Sequence, residues 1–232
     1  MFTINEKKLA EAWEILRDEV PLALWDTLYV TFAATFLAIL IGLPLGMLLV
    51  AGEKNGIRPI PSGLMKVINV VINLLRSIPF IILIVLVIPL TRLLVGTSVG
   101  TVASIVPLTV AAFPFIARLV EGSLREVNPN IIEAAQSMGF SPLQIMTRVM
   151  LPESVPSLIN NFTLAITTIM GYTAMSGAIG GGGLGKIAIM IGYNRYNYPV
   201  LLMTVILLIV LVQVIQSVGT WLAIKNDRRL KK

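Results

Sequence analysis

Five stretches of this chain are each long and apolar enough to cross a lipid bilayer, and this constrains its fold more than any other feature. Crossing about 30 Å of hydrocarbon takes about 20 mostly apolar residues in helical form. The stretches fall at about 28–50, 67–95, 99–120, 158–179 and 200–224. Hydrocarbon offers the backbone no hydrogen-bond partner, so each must satisfy its own amides by forming a helix. Composition agrees: 56% of the residues are hydrophobic and 13% charged, against about 45–50% and about 25% in soluble domains. The expected fold is all-α and transmembrane, a five-helix polytopic bundle. Residues 25–224 form its membrane domain, preceded by 1–24 and followed by a basic tail, 225–232.

Several blocks carry proline: Pro44, Pro79, Pro89, Pro107 and Pro114. Neighbouring helices in a bundle can satisfy the carbonyls that proline frees. The block at 67–95 is too long for one straight crossing, so it is expected to tilt or to start outside the lipid. Arg76 then sits near the membrane edge or faces the bundle interior, as a snorkelling side chain, an ion-pair partner, or a contact for substrate. Before the first block, Leu9, Ala12, Trp13, Leu16 and Val20 share one helical face, and Thr3 with Glu6 has capping-box spacing. A short amphipathic helix on the membrane surface is expected there, or else a frayed polar tail. The first 24 residues are charged throughout, so the first span is expected to direct insertion itself.

The lysines and arginines orient the bundle. Lys54, Arg58 and Lys66, then Arg118, Arg125 and Arg148, then Lys225, Arg228, Arg229, Lys231 and Lys232 fall in alternate segments, 11 in all. The other segments hold six: Lys7, Lys8, Arg17, Arg92, Lys186 and Arg195. The richer set is expected on the cytoplasmic side, with the N-terminus outside and the C-terminus inside. The net charge of +6 therefore reflects topology, and no nucleic-acid partner is expected. Cysteine and histidine are both absent. That excludes a thiolate metal site and removes the commonest general base.

Two segments carry motifs. Gly180 to Lys186 reads G-G-G-G-L-G-K, close to a phosphate-binding loop, but Ile187 stands where the metal-binding hydroxyl belongs and no strand precedes the glycines. A tight, close-packed turn between spans is the better account. The cytoplasmic loop at 121–157 is the other. Residues 130–138 predict a helix that Gly139 ends in the left-handed conformation. Ser141 then caps a second helix with Pro142 at its first position, and Pro152 ends it. The result is an apolar knob on a rigid elbow, suited to a groove on a partner protein, or else a loop lying on the membrane surface.

Within that elbow, Glu133-Ala134-Ala135, Gly139, Val149, Leu151 and Pro152 resemble the E-A-A-x3-G-x9-I-x-L-P signature of ABC importer permeases, with Val149 for isoleucine the one departure. Further motifs resemble the methionine-import branch of that family: W-D-T-L near Trp25, I-G-L-P-L-G at 41–46, R-S-I-P-F at 76–80, P-F-I-A-R at 114–118, and the run from Gly171 to Gly185. The resemblance covers nearly the whole chain. It implies a type I importer permease of the bacterial inner membrane. Glu133, Ala134, Ala135, Gly139, Leu151 and Pro152 would couple it to a cytoplasmic ATPase. It also implies a homodimer, two copies of that ATPase, and an extracytoplasmic substrate-binding lipoprotein. ATP and magnesium would sit on the ATPase, with no cofactor on this chain. Asn160, Asn161, Tyr172, Met175 and Ser176 on the fourth span are candidates to line the path, or to hydrogen-bond between helices. An intramembrane enzyme would need a carboxylate pair or nucleophile–base pair within the spans, and none is central. A channel would need no docking elbow. A permease for another amino acid or small solute would fit the same residues.

Overall fold

A computed structural model describes residues 6–227, and all regular structure among them is helical. The chain divides into two compact units. One comprises residues up to Phe36, Pro79–Val110 and Ile166–Ile215; the other comprises Leu37–Ile78, Ala111–Ala165 and the chain from Gln216.

α1 (Glu6–Asp18) carries Glu6 in its first turn and Arg17 in its last, which suits the helix dipole at both ends. Thr3, the partner expected to cap it, lies outside the described residues, as do Arg228, Arg229, Lys231 and Lys232. The expected apolar face is divided between two roles. Ala12 and Val20 are buried in a cluster with Ala23, Leu184, Ile187, Ile191 and Val200, while Leu9 and Trp13 are exposed. Lys8 and Glu11 hold the helix down at its polar side, through the Tyr196 carbonyl (2.7 Å) and the Asn197 amide (3.1 Å).

α2 (Val20–Ala51), α6 (Ile105–Arg125) and α12 (Tyr198–Asn226) are each long and apolar enough to cross a membrane. The second block is not one tilted helix. It is broken into α3 (Ser62–Ser77), α4 (Phe80–Leu86) and α5 (Ile88–Val95). The break has a local cause: Pro79 disfavours the helical region for the residue before it, and Ile78 is extended (φ −78°, ψ 124°). α3 and α4 qualify together as one crossing only as a broken span or a re-entrant loop. Arg76, in the last turn of α3, is exposed and among the described residues makes no ion pair. α6 continues past the expected end of its block, so Glu121 and Arg125 are helical.

The loop after α6 contains α7 (Pro129–Ser137), α8 (Pro142–Gln144), a π-helical turn (Ile145–Met150) and α9 (Leu151–Glu153), and leads into α10 (Val155–Gly177). Pro152 does not end its helix, contrary to the expectation. It sits in the first turn of α9 behind the wide π turn, and the chain stays right-handed helical through Ser154 (φ −87°, ψ −1°). A proline ring collides with the carbonyl four residues earlier in an α-helix, and the wider turn relieves that. Beyond α10 come α11 (Gly183–Lys186) and a second π turn (Ile187–Tyr193).

Glycine sets the distance between helices. In the second unit, a Cβ on Gly42 would lie 2.8 Å from Ile116 Cγ2, and one on Gly46 would lie 2.6 Å from Val120 Cβ. α2 and α6 therefore touch backbone to side chain, as small residues allow in membranes. We expect Gly46→Val to strain this contact by about 1–3 kcal/mol. Gly122→Ala faces open space and should be neutral. Thermal unfolding of the detergent-purified protein should separate the two by several degrees, and equal midpoints would refute the close contact.

Candidate functional site

Three constellations stand out, each within one unit. The elbow is the first. Asn128 caps α7, its side chain accepting from the Asn130 amide (3.0 Å), with Pro129 at the first helical position. At the other end Gly139 is left-handed (φ +77°). The Phe140 N–H donates to Ala135 (3.1 Å) and the Gly139 N–H to Gln136 (2.9 Å), the paired bonds of a Schellman ending. Ser141 and Gln144 form a reciprocal capping box that starts α8. Each end of the elbow is thus fixed by its own side chains. Ala135, Ile145, Met146 and Met150 are buried beneath it, while Met138 and Leu143 project at 67% and 70% exposure. Glu133 and Ala134 are exposed, Leu151 is half-buried and Pro152 is exposed. Glu133 also lines a 270 Å³ cavity with Gln136, Asn55 and Gly56.

The second constellation is a charge network on α6. Glu121 is buried, and its two carboxylate oxygens accept from Arg118 Nη1 and Arg125 Nη2, each at 2.7 Å. Arg118 Nη2 also donates to Asn69 Oδ1 (2.7 Å) and Asn73 Oδ1 (3.0 Å) on α3. Arg125 also pairs with Glu53, in the turn after α2. One carboxylate thereby organises two guanidinium groups, and through them α3 and the 52–61 loop. The sequence places Glu121 near a span end with Arg118 and Arg125 three and four residues away, but it does not reveal Asn69, Asn73 and Glu53, which meet those arginines from 45 to 72 residues away.

The third is the glycine loop. Gly183 is left-handed (φ +79°), and a Cβ there would lie 2.5 Å from Thr27 Oγ1. Thr27 Oγ1 accepts from the Leu184 N–H (2.9 Å), and the Thr101 hydroxyl donates to Asp26 Oδ2 (3.0 Å). The Gly100 N–H donates to the Gly180 carbonyl (2.8 Å). The loop is closed over these side chains and follows a helix, which is the packed turn the sequence suggests.

The five candidate path residues do not act alike. Asn161 donates to Ser123 Oγ (2.8 Å) on α6, and Ser176 donates to the Thr173 carbonyl (2.8 Å) of its own helix. Tyr172 stacks on Phe80, with centroids 4.6 Å apart and planes 8° apart. Only Asn160 and Met175 are exposed. With Leu164 and Gly171, also exposed, they mark one face of α10 at helical spacing.

Residues 42–232 match the model of the family described as "Binding-protein-dependent transport system inner membrane component". The chain belongs to that family. It is 46% identical over 219 residues to a probable D-methionine transport system permease protein, MetI, of Vibrio cholerae, covering 94% of this chain and 96% of that one. It is 48% identical over 153 residues to the MetI of Escherichia coli K12, covering 66% of this chain and 70% of that one. Its structure resembles a chain of the MetNI methionine ABC transporter in an inward-facing conformation, with TM-score 0.86 and 46% identity over 88% of this chain and 94% of that chain. An amino acid ABC transporter crystallised with histidines has the same fold at 19% identity, with TM-score 0.69 over 98% of this chain and 99% of that one. This chain is therefore an inner-membrane permease of the ABC importer type, with the type I importer fold. In this permease the elbow, the α6 network and the glycine loop are each held by the hydrogen bonds described above.

Removing the carboxylate from Glu121 leaves Arg118 and Arg125 facing each other without their shared anion. We expect Glu121→Ala to cost about 3 kcal/mol of stability. Glu53→Ala should cost well under half of that, since Arg125 keeps Glu121. Chemical denaturation of the two variants in detergent tests this, and equal losses would show that Glu121 is not the hub.

Proposed function

We propose that this permease carries methionine inward, and that its elbow couples transport to ATP hydrolysis on a separate cytoplasmic ATPase. One observation carries the reading: 46% identity to a D-methionine permease over almost the full length of both chains. The fold likeness to the methionine ABC transporter supports it. In this reading the chain holds no nucleotide or cofactor and catalyses no reaction of its own. It assembles as a homodimer with two ATPase subunits, which bind ATP and magnesium, and receives substrate from an extracytoplasmic binding lipoprotein.

The coupling residues are Glu133, Ala134, Ala135, Gly139, Leu151 and Pro152. The exposed Met138 and Leu143 on a doubly capped elbow form a knob that a groove on the ATPase can grip. The path is assigned to the α10 face that holds Asn160 and Met175. Its chemistry suits a small zwitterion with a thioether tail: an amide for the polar end and a soft, adaptable sulfur contact for the side chain. Asn161, Tyr172 and Ser176 then line the path from behind, through the hydrogen bonds and stacking described above.

Uptake of radiolabelled methionine tests both parts. In proteoliposomes holding this permease, its ATPase and its binding protein, methionine should accumulate only with ATP on the ATPase side. Gly139→Val should reduce uptake at least tenfold while leaving insertion intact, because a β-branched residue resists positive φ. ATP-driven uptake of another solute that excess methionine does not inhibit would overturn the substrate. Undiminished uptake in Gly139→Val would overturn the role of the elbow.

The charge distribution supports an N-terminus outside and a C-terminus inside. A single cysteine at exposed Asn194 should react with a membrane-impermeant thiol reagent in intact cells. One at exposed Asn55 should react only after lysis. The reverse pattern would invert the topology.

A further inference from the structure

We infer that the groove beside α3 is a binding site for an anionic phospholipid of the cytoplasmic leaflet; the choice of leaflet rests on the topology proposed above. The groove has a volume of 980 Å³, and Lys54, Lys66, Asn55, Ser62, Met65 and Val70 are among its lining residues. Its one lining carboxylate, Glu53, is already paired with Arg125. Lys54 and Lys66 are exposed, and among the described residues neither makes an ion pair. The groove is therefore net positive, with two free ammonium groups.

Two further features suit a phosphate diester. α3 begins here at Ser62 without a side-chain cap, its preceding residue being Pro61. The first-turn N–H groups of a helix are left without intrahelical acceptors, and together with the helix dipole they favour an anion. The wall is also held firm. Asn69 and Asn73, both lining residues, each accept from Arg118 through Oδ1, and the Asn69 amide donates to the Met65 carbonyl (2.9 Å).

The apolar surface decides between a lipid headgroup and free phosphate. Val70, at the groove's edge, continues into an adjacent face of α3 on which Leu64, Val67, Val71 and Leu74 are all exposed. Acyl chains would cover that face, whereas inorganic phosphate or a nucleotide would leave it bare. Basic pockets beside membrane helices on the cytoplasmic side recognise anionic headgroups by this combination.

Native mass spectrometry of the purified complex of permease and ATPase tests the site. It would be titrated with phosphatidylglycerol or with phosphatidylcholine of identical chains. Phosphatidylglycerol should bind roughly ten- to thirty-fold tighter, the effect of two lysines near a headgroup. Lys54→Gln with Lys66→Gln should abolish that preference, and Lys54→Arg with Lys66→Arg should retain it. Excess inorganic phosphate should not displace the lipid. Equal binding of the two lipids, a preference that survives the double glutamine variant, loss of the preference in the double arginine variant, or displacement by phosphate would each overturn the assignment. None of these readouts depends on the transported solute, so the methionine reading stands or falls separately.

Discussion

The bilayer's inability to hydrogen-bond governs this molecule. A backbone amide left open in hydrocarbon costs several kcal/mol, so the chain must be helical wherever it meets lipid. Burying apolar area adds little to helix association there, because lipid is as apolar as leucine. Contacts between helices must come from close approach and from polar pairing. Both are present in the second unit. Gly42 and Gly46 bring α2 onto α6, and Gly219 brings α12 onto Thr163 of α10. Ser157 and Asn161 of α10 both donate to the same Ser123 hydroxyl on α6.

The same constraint explains where charge is tolerated. Glu121 is buried on a helix apolar enough to cross a membrane, which is acceptable only because two guanidinium groups hold it. The network also fixes the neighbouring loop and α3. The outcome is a base beside the elbow made of two acids, two guanidinium groups and two amides. In the first unit the glycine loop is held by hydrogen bonds. Asp26 and Thr27, adjacent on α2, hold Thr101 and the glycine loop by single hydrogen bonds.

What the sequence revealed, and what it concealed, divides along the range of the interaction. The elbow was legible because its determinants are local. Gly139, Ser141 and Pro142 each act within a few residues of themselves, and the structure places the left-handed glycine and the Ser141 cap where the sequence predicts; the Asn128 cap and the Gln144 half of the capping box are equally local additions. The break at Ile78–Pro79 is equally local: the length of the block suggests tilting, but Pro79 restricts its predecessor to extended backbone. Pro152 misled in the opposite sense. It reads as a helix end, yet a π turn accommodates it, and nothing in the sequence marks a π turn. The long-range partners were not legible, since Asn73 meets Arg118, Glu53 meets Arg125 and Thr101 meets Asp26 across 45, 72 and 75 residues. Of the two readings the sequence left open for Asn161, lining a path or bonding between helices, its bond to the Ser123 hydroxyl on α6 is of the second kind.

The π turn at 145–150 matters to the proposed coupling. A strict α-helix would have to stop or kink before Pro152, leaving the elbow on a flexible hinge. The wider turn lets helical backbone run from Pro142 to Gly177 with Ser154 still right-handed, its N–H donating to Met150 (3.0 Å). α10, at 23 residues, is about 35 Å long. Its first part, up to Ala165, lies in the same compact unit as the elbow and follows it with only the Ser154 turn between. In the proposed coupling, a push on the elbow reaches this part of α10 along the backbone itself. Such π turns recur where helices must carry function, and here the turn carries the helical chain past Pro152.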